Sequence, residues 1–217
     1  LKDVYGLVFL ELHQVWDWPT FFERVEHHPD VFKVKQIHWH SPPSRFVKLN
    51  IDRCSKGNPG VSGGDGILRS SEGRLLLGFS GYLGQCTSPQ AEAKVLLLGL
   101  QLCAQQGFLD SLIVESDLLM LVRILWQKSH CPWSIDGEVE KILHLVRGGV
   151  QVVHCYREAN TVMDVLSNVC CVDTNQGVSV YETFAGLPFL ARGSYRLDRL
   201  AFPSFRRFRS SRVDSNV

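Results

Sequence analysis

The chain has 217 residues, with 23 basic and 22 acidic side chains, a formal net charge of +1 and an apolar content of 45%. This composition excludes a disordered chain and allows one packed domain of ordinary size with flanking segments. No apolar run approaches the roughly 20 residues that a membrane-spanning helix requires, so we expect no membrane partner. Seven cysteines without a Cys-x-x-Cys pair predict buried thiols in an intracellular, reducing compartment, and neither a disulfide framework nor a zinc site.

Two segments flank the predicted domain, which covers residues 45–172. Residues 1–44 contain scattered histidines and tryptophans and end near Pro42-Pro43, and we interpret them as a poorly structured lead-in. Residues 173–217 form an Arg-rich C-terminal tail, in which seven arginines after position 190 stand against two aspartates, a local balance of +5. Such a tail suits nucleic acid, although most basic tails are simply solvated.

The predicted domain opens with a strand and a glycine-rich turn. Residues 46–52 alternate between apolar and polar side chains, and Asp52 ends the alternation. The tetrapeptide Gly57-Asn58-Pro59-Gly60 predicts a tight reversal, because proline fixes its own φ and glycine tolerates positive φ. Two further strands near 66–70 and 74–82 complete an antiparallel meander.

Helices and two more strands follow this meander. Ser88 and Pro89 predict the start of a helix that is apolar nearly all round and ends at Gly107. The later elements are a strand at 112–116, helices at 118–127 and 136–147, a strand at 150–155, and a last helix from Asn160 or Thr161. This order predicts an α/β fold with a five-stranded mixed sheet, a three-strand antiparallel meander plus two parallel strands, flanked by helices.

Four acids stand at strand ends or near helix starts: Asp52, Glu92, Asp117 and Asp164. Each has a structural explanation, because aspartate favours turns and helix caps and an acid near a helix start complements the helix dipole. Taken singly, the residues leave both a structural and a functional role open.

The acids occur within a set of motifs in a fixed order. The set consists of Asp52 with Gly-Asn-Pro-Gly, then Ala91-Glu92, then Glu115-Ser116-Asp117, then His-Cys-Tyr-Arg-Glu-Ala-Asn-Thr-Val-Met-Asp at 154–164. Over residues 46–172 the chain resembles ribonuclease H of type 1. It is most similar to the ribonuclease-H-like domain of plant retrotransposons, often called the reverse-transcriptase-like domain.

The resemblance implies a ribonuclease-H-like fold and a metal-dependent endonuclease that cuts the RNA strand of RNA·DNA hybrids. The family's four catalytic and metal-binding carboxylates match Asp52, Glu92, Asp117 and Asp164. They would hold two Mg²⁺ ions, with Mn²⁺ as the alternative, because these ions prefer hard oxygen ligands. His154 matches a mobile histidine that assists proton transfer or product release.

The same resemblance implies a nucleic-acid surface. Gly57, Asn58 and Gly60 match the turn that meets the sugars of the RNA strand, and Asn160 is assigned to nucleic-acid binding with them. Hybrids would be recognised by shape and 2′-hydroxyl groups, without a base sequence being read. We expect a monomer.

Five residues depart from the family pattern. Arg53 stands where a glycine usually follows the first acid, Asp65 interrupts a glycine-rich run, Leu119 replaces a polar residue, and Ser88-Pro89 replaces asparagines. Arg53 would crowd the metal or the scissile phosphate. A catalytically impaired retrotransposon remnant that binds nucleic acid, or a partner-binding module, therefore remains an alternative. A DNA-cutting integrase or exonuclease is a further rival, against which the Gly-Asn-Pro-Gly turn and the final His-to-Asp spacing argue.

Overall fold

The computed structural model of the chain describes residues 32–170 and 177–209. Within these, Gln36–Phe205 form one compact unit, and the remaining described residues, 32–35 and 206–209, belong to a second. The first unit contains a six-stranded sheet, the described helices and all of the predicted site residues.

The strands of the described chain form two sheets. Their bounds are β1 Phe32–Ile37, β2 Val47–Gly57, β3 Gly60–Arg69, β4 Leu75–Cys86, β5 Leu112–Ser116, β6 Gln151–His154, β7 Val178–Tyr181 and β8 Ser204–Arg209. β1 and β8 pair as a two-stranded sheet, and the main sheet has the order β6-β5-β2-β3-β4-β7. β2, β3 and β4 are an antiparallel meander, and β5 and β6 are parallel to β2. The predicted five-stranded mixed sheet is therefore confirmed, and β7 adds an antiparallel sixth strand beside β4.

Five α-helices lie in the described chain. They are α1 Ser88–Gln105, α2 Leu119–Leu125, α3 Asp136–Val146, α4 Thr161–Cys170 and α5 Phe189–Arg199. The N-cap of α1 is Thr87, one residue before the predicted Ser88. Gln90 decides this position, because its side chain accepts a hydrogen bond from the Thr87 amide at 2.9 Å and completes a capping box.

Two apolar clusters cover the two faces of the sheet. Residues directly opposite each other on neighbouring strands point to the same face of the sheet. Leu49 and Leu68 therefore share one face, and Asn50 and Ile67 share the other. The larger cluster packs the Leu49 face against α1, α2 and α3. The smaller cluster joins Ile67 to α4 and α5, with Tyr195 of α5 only 2% exposed. The described part of the segment after residue 172 thus adds a strand and a core helix to the domain.

A buried polar network couples α5 to the sheet. Arg69 is 1% exposed and donates to Asp198 Oδ2 of α5 at 2.8 Å and to Asn50 Oδ1 at 2.7 Å. Its guanidinium carbon lies 3.6 Å from the ring centre of Trp39, whose indole nitrogen donates to the same Asn50 oxygen. Because an unpaired buried charge is costly, these contacts allow an arginine to sit inside the fold.

The cysteines differ from the sequence expectation at one position. Cys86, Cys103, Cys131 and Cys155 are free thiols, and burial raises the pKa of Cys103 to about 12. Cys54, near the end of β2, is disulfide-bonded, so the prediction of buried thiols does not hold for this one cysteine. Spacing along the chain could not reveal this bond, because folding decides which thiols meet. Among the helices that the structure describes, none is long and apolar enough to cross a membrane.

Candidate active site

Three carboxylates meet where β2, β5 and α1 approach one another. Asp52 lies in β2, Asp117 follows β5, and Glu92 lies one turn into α1. One ligand oxygen from each residue lies within 4.8 Å of the other two. The parallel register of β2 and β5, which sets Asn50 opposite Glu115, carries the two aspartates to the same level of the sheet. The structure therefore brings together three of the four predicted acids.

The fourth predicted acid, Asp164, lies in α4 outside this group of three. Its Oδ1 accepts hydrogen bonds from Arg157 Nε at 3.0 Å and Arg157 Nη2 at 2.7 Å. Asp164 still lies near enough to contribute to the raised pKa values of Asp52 and Asp117. Arg157 was not predicted, and no local pattern marks it, because the two partners are seven residues apart and meet through a turn.

Glu92 is the most buried carboxylate of the cluster. Its side chain is 1% exposed, and its Oε1 accepts a hydrogen bond from Ser116 Oγ at 2.7 Å. Its Oε2 accepts no hydrogen bond from the residues that the structure describes. Sequence reasoning missed Ser116, although a polar residue on the inward face of a buried strand was the available signal. A buried oxygen without a donor is what a bound cation would satisfy, and three carboxylates are the donor set that Mg²⁺ prefers.

Burial makes the cluster hard to ionise. Burial, with a contribution from Asp117, raises the pKa of Asp52 to about 7. Burial likewise raises the pKa of Glu92 to about 8, and it raises the pKa of Asp117 as well. Neighbouring carboxylates resist sharing negative charge in a poorly solvated place, and a cation among them would reverse the shifts.

Arg53 reaches the cluster from the opposite side of β2. It follows Asp52, so its side chain leaves the other face of the strand, where α1 packs. Its Nε lies 3.9 Å from Glu92 Oε2, too far for a hydrogen bond and close enough for an ion pair. Asp65, the second flagged departure, is fully buried directly opposite Asp52 in β3.

The predicted sugar-binding turn is the hairpin between β2 and β3. Gly57 has a φ of +104°, and a side chain at Gly60 would place its Cβ 2.0 Å from the Lys56 carbonyl oxygen, so both positions require glycine. Asn58 Oδ1 accepts a hydrogen bond from the backbone amide of Ser88 at 2.9 Å. The turn is exposed, and this bond attaches it to the start of α1.

His154 and Asn160 have different surroundings. His154 ends β6 half-buried, edge-on to the ring of Tyr156 at 5.8 Å, and lies opposite Ser116 in the sheet. Asn160 is 2% exposed, and its Nδ2 donates to the Ile51 carbonyl at 2.8 Å. The amide nitrogen of Asn160 thus holds the start of α4 beside the strand that carries Asp52, and its assignment to nucleic-acid binding stays a prediction.

Comparison with known proteins agrees with this geometry. The family model described as reverse transcriptase-like matches residues 50–170. A protein of Arabidopsis thaliana whose name describes it as a ribonuclease H protein is 34% identical over 140 residues, which is 62% of this chain and 22% of that relative.

Solved structures show the same fold. RNase H1 from the archaeon Halobacterium salinarum superposes with a TM-score of 0.56 at 24% identity, covering 59% of this chain and 98% of its own. LC11-RNase H1, isolated from compost, was solved in complex with an RNA/DNA hybrid; it has a TM-score of 0.53 at 25% identity and covers 58% of this chain and 96% of its own. The resemblance stated from the motifs is thereby confirmed, and the chain belongs to the reverse transcriptase-like family, with the fold of ribonuclease H.

Proposed function

We propose that this domain is a metal-dependent endonuclease that cleaves the RNA strand of RNA·DNA hybrids. The observation that carries the proposal is the convergence of Asp52, Glu92 and Asp117, with ligand oxygens within 4.8 Å, on a ribonuclease H fold. The name of the Arabidopsis relative and the hybrid bound to LC11-RNase H1 support a nucleic-acid substrate.

The residues present fit Mg²⁺, with Mn²⁺ as the alternative ion. Asp52, Glu92 and Asp117 would hold the metal, and Asp164 would complete the set from α4. Once bound, two such ions supply an activated water and charge stabilisation for the leaving 3′-oxygen of the phosphodiester. The chain's own contribution is orientation, because Ser116 fixes one oxygen of Glu92 and leaves the other buried without a described hydrogen-bond donor.

Two further groups serve the substrate in this proposal. The hairpin at 57–60, exposed from Gly57 to Pro59, presents backbone with little side-chain bulk, which suits close approach to the sugars of an RNA strand. His154 ends the strand next to the one that leads into Asp117, and an imidazole there can take up or release a proton as the product leaves.

A catalytically impaired nucleic-acid binder is the second candidate function. The observation that favours it is Arg53, whose guanidinium lies 3.9 Å from Glu92 Oε2 and competes with a metal for that carboxylate. Binding of hybrids would then survive while cleavage is slow or absent.

A cleavage assay with matched variants separates the two candidates. Labelled RNA·DNA hybrid is incubated with Mg²⁺ or Mn²⁺, with an EDTA control, for the wild type, Asp52→Asn and Asp110→Asn. Asp110 is an exposed acid before the opposite end of β5, so its loss should leave cleavage unchanged. We expect cleavage of the RNA strand that Asp52→Asn lowers by about a hundredfold or more. Cleavage that survives Asp52→Asn contradicts the assignment, and hybrid binding without cleavage supports the second candidate.

A further inference from the structure

A pocket of about 280 Å³ opens beside α5, apart from the carboxylate cluster. Its lining consists of three arginines, two aromatic side chains and a leucine: Arg74, Arg196, Arg199, Phe184, Tyr195 and Leu75. We call it the arginine pocket. The family model matches residues 50–170, and Phe184 and the α5 residues of the pocket lie beyond that range. The family match therefore assigns no role to this pocket.

Strand register fixes the distance between the arginine pocket and the cluster. Arg69 of β3 pairs with Leu75 of the pocket on one side and with Lys48 on the other, and Lys48 precedes Asp52 by four residues in β2. At about 3.3 Å per strand residue, the offset along the strands is roughly 13 Å, and the two strand spacings from β2 to β4 add roughly 10 Å across the sheet. Leu75 and Asp52 are therefore roughly 16 Å apart on the sheet. Nucleic-acid strands advance about 3.4 Å per nucleotide, so this separation corresponds to about five nucleotides.

Two arginines of the pocket have charges that the described protein does not neutralise. Arg74 pairs with Glu72 at 3.0 Å, whereas neither Arg196 nor Arg199 forms an ion pair with any described carboxylate. Both are exposed and stand three residues apart, which puts them on one face of α5. Guanidinium groups stay charged at physiological pH and match the oxygens of a phosphate in a fork-like geometry.

The aromatic wall of the pocket is held in place. Tyr195 donates from its hydroxyl to the Gly73 carbonyl at 2.7 Å, and its ring lies 5.5 Å from that of Phe184. Arg192 donates to two backbone carbonyls of the turn that carries Phe184 and so fixes that turn. The guanidinium carbon of Arg196 lies 5.1 Å from the Phe184 ring centre. Tyr195 is 2% exposed and backs the wall, so the half-buried ring of Phe184 supplies its accessible apolar surface, next to the positive charge of Arg196. A nucleotide offers the complement, a flat base beside a negative phosphate.

We propose that the arginine pocket binds one phosphate and the adjoining nucleoside of a nucleic-acid strand, as a contact outside the carboxylate cluster. The choice of nucleic acid over an acidic peptide rests on the function proposed above and on the aromatic wall, which a peptide carboxylate would not use. The contact carries no base preference, because phosphates and the faces of bases are common to all nucleotides.

The test is the salt dependence of hybrid binding, measured by fluorescence anisotropy in EDTA so that no cleavage takes place. Arg196→Gln with Arg199→Gln should bind about tenfold more weakly, and the slope of log affinity against log salt should shrink by about 2 between about 50 and 200 mM salt. The matched control is Arg123→Gln with Arg147→Gln, which removes two exposed arginines outside the pocket that also lack described ion pairs. Thermal unfolding of both double variants checks that the fold is retained.

Each outcome decides the proposal. Loss of affinity and slope in the pocket variant alone supports it, whereas equal behaviour of the two double variants overturns it. Competition by polyglutamate as strong as that by nucleic acid of equal charge also overturns it, in favour of an acidic peptide. Because the assay needs no metal, a failure here leaves the cleavage experiment untouched, and a pocket effect without any cleavage would retain this contact while rejecting the endonuclease.

Discussion

Arg69 and Asp198 are 129 residues apart in sequence and form an ion pair of 2.8 Å inside the domain. Asp198→Ala should cost about 3–5 kcal/mol of unfolding free energy, because it leaves the buried guanidinium of Arg69 without its counter-charge. Urea denaturation measures this loss. The control is Glu72→Gln, which breaks the exposed pair with Arg74 and should leave the unfolding midpoint unchanged. Similar small effects for both variants would contradict a structural role for the buried pair.

Arg53 should weaken metal binding. Arg53→Gln removes a positive charge 3.9 Å from Glu92 Oε2 and should tighten Mg²⁺ binding about tenfold, or about 1.4 kcal/mol. Isothermal titration calorimetry without nucleic acid measures this directly. Arg53→Lys, which keeps the charge, should retain affinity near that of the wild type. Identical affinities for the Gln and Lys variants would show that Arg53 does not act through its charge.

The metal-free domain should lose stability as the pH rises. The pKa of Asp52 is about 7 and that of Glu92 about 8 in the folded protein, both raised above their ordinary values mainly by burial. Between about pH 4 and pH 8 the folded state therefore holds protons that the unfolded state releases, so stability is highest at the acidic end of this range and falls towards the alkaline end.

Thermal unfolding in EDTA from about pH 5 to pH 9 tests this linkage. Asp52→Asn should flatten the profile, and Mg²⁺ should stabilise the wild type more at the alkaline end, where the carboxylates are ionised. A melting temperature of the wild type that does not change with pH would contradict the linkage.

The hairpin at 57–60 should be intolerant of any side chain at its last position. Gly60→Ala puts a Cβ against the Lys56 carbonyl oxygen and should destabilise the domain by about 2–3 kcal/mol and weaken hybrid binding. Gly137→Ala is the control, since nothing lies within 4 Å of its added Cβ in α3 and alanine favours helix. Chemical denaturation measures the stability of both variants, and fluorescence anisotropy measures their hybrid binding. A Gly60→Ala variant with unchanged stability would contradict the prediction and show that the turn can relax.

Local patterns were sufficient for the five predicted strands and for the helices between them, whereas β7 and α5 were not predicted. Alternation predicted the meander, and the apolar run after Ser88 predicted α1, because each depends on residues close in sequence. Long-range partners were not predictable in this way. The predicted boundaries 45–172 leave out both Trp39 and Asp198, because nothing near these residues shows that they enclose Arg69.

The same difference between local patterns and long-range contacts applies to the candidate site. The motif order, through its resemblance to ribonuclease H, named four acids, three of which converge in the structure. The reach of Arg53 to Glu92 and the burial of Asn160 depend on side-chain packing, which spacing does not encode. The disulfide at Cys54 likewise depends on packing and could not be predicted from spacing.

The hydrogen bond from the Ser88 amide to Asn58 connects the proposed RNA-binding turn to the helix that supplies a proposed metal ligand. The turn that would meet the RNA strand is attached to the first residue of the helix that carries Glu92. In the proposed function, a nucleic-acid strand that displaces this turn would also displace the start of the helix that carries Glu92, a predicted metal ligand. By thermodynamic reciprocity, any gain in metal affinity on hybrid binding must equal the gain in hybrid affinity on metal binding. In that case hybrid affinity and metal affinity would change together by one coupling free energy, and the side chain of Asn58 would transmit it.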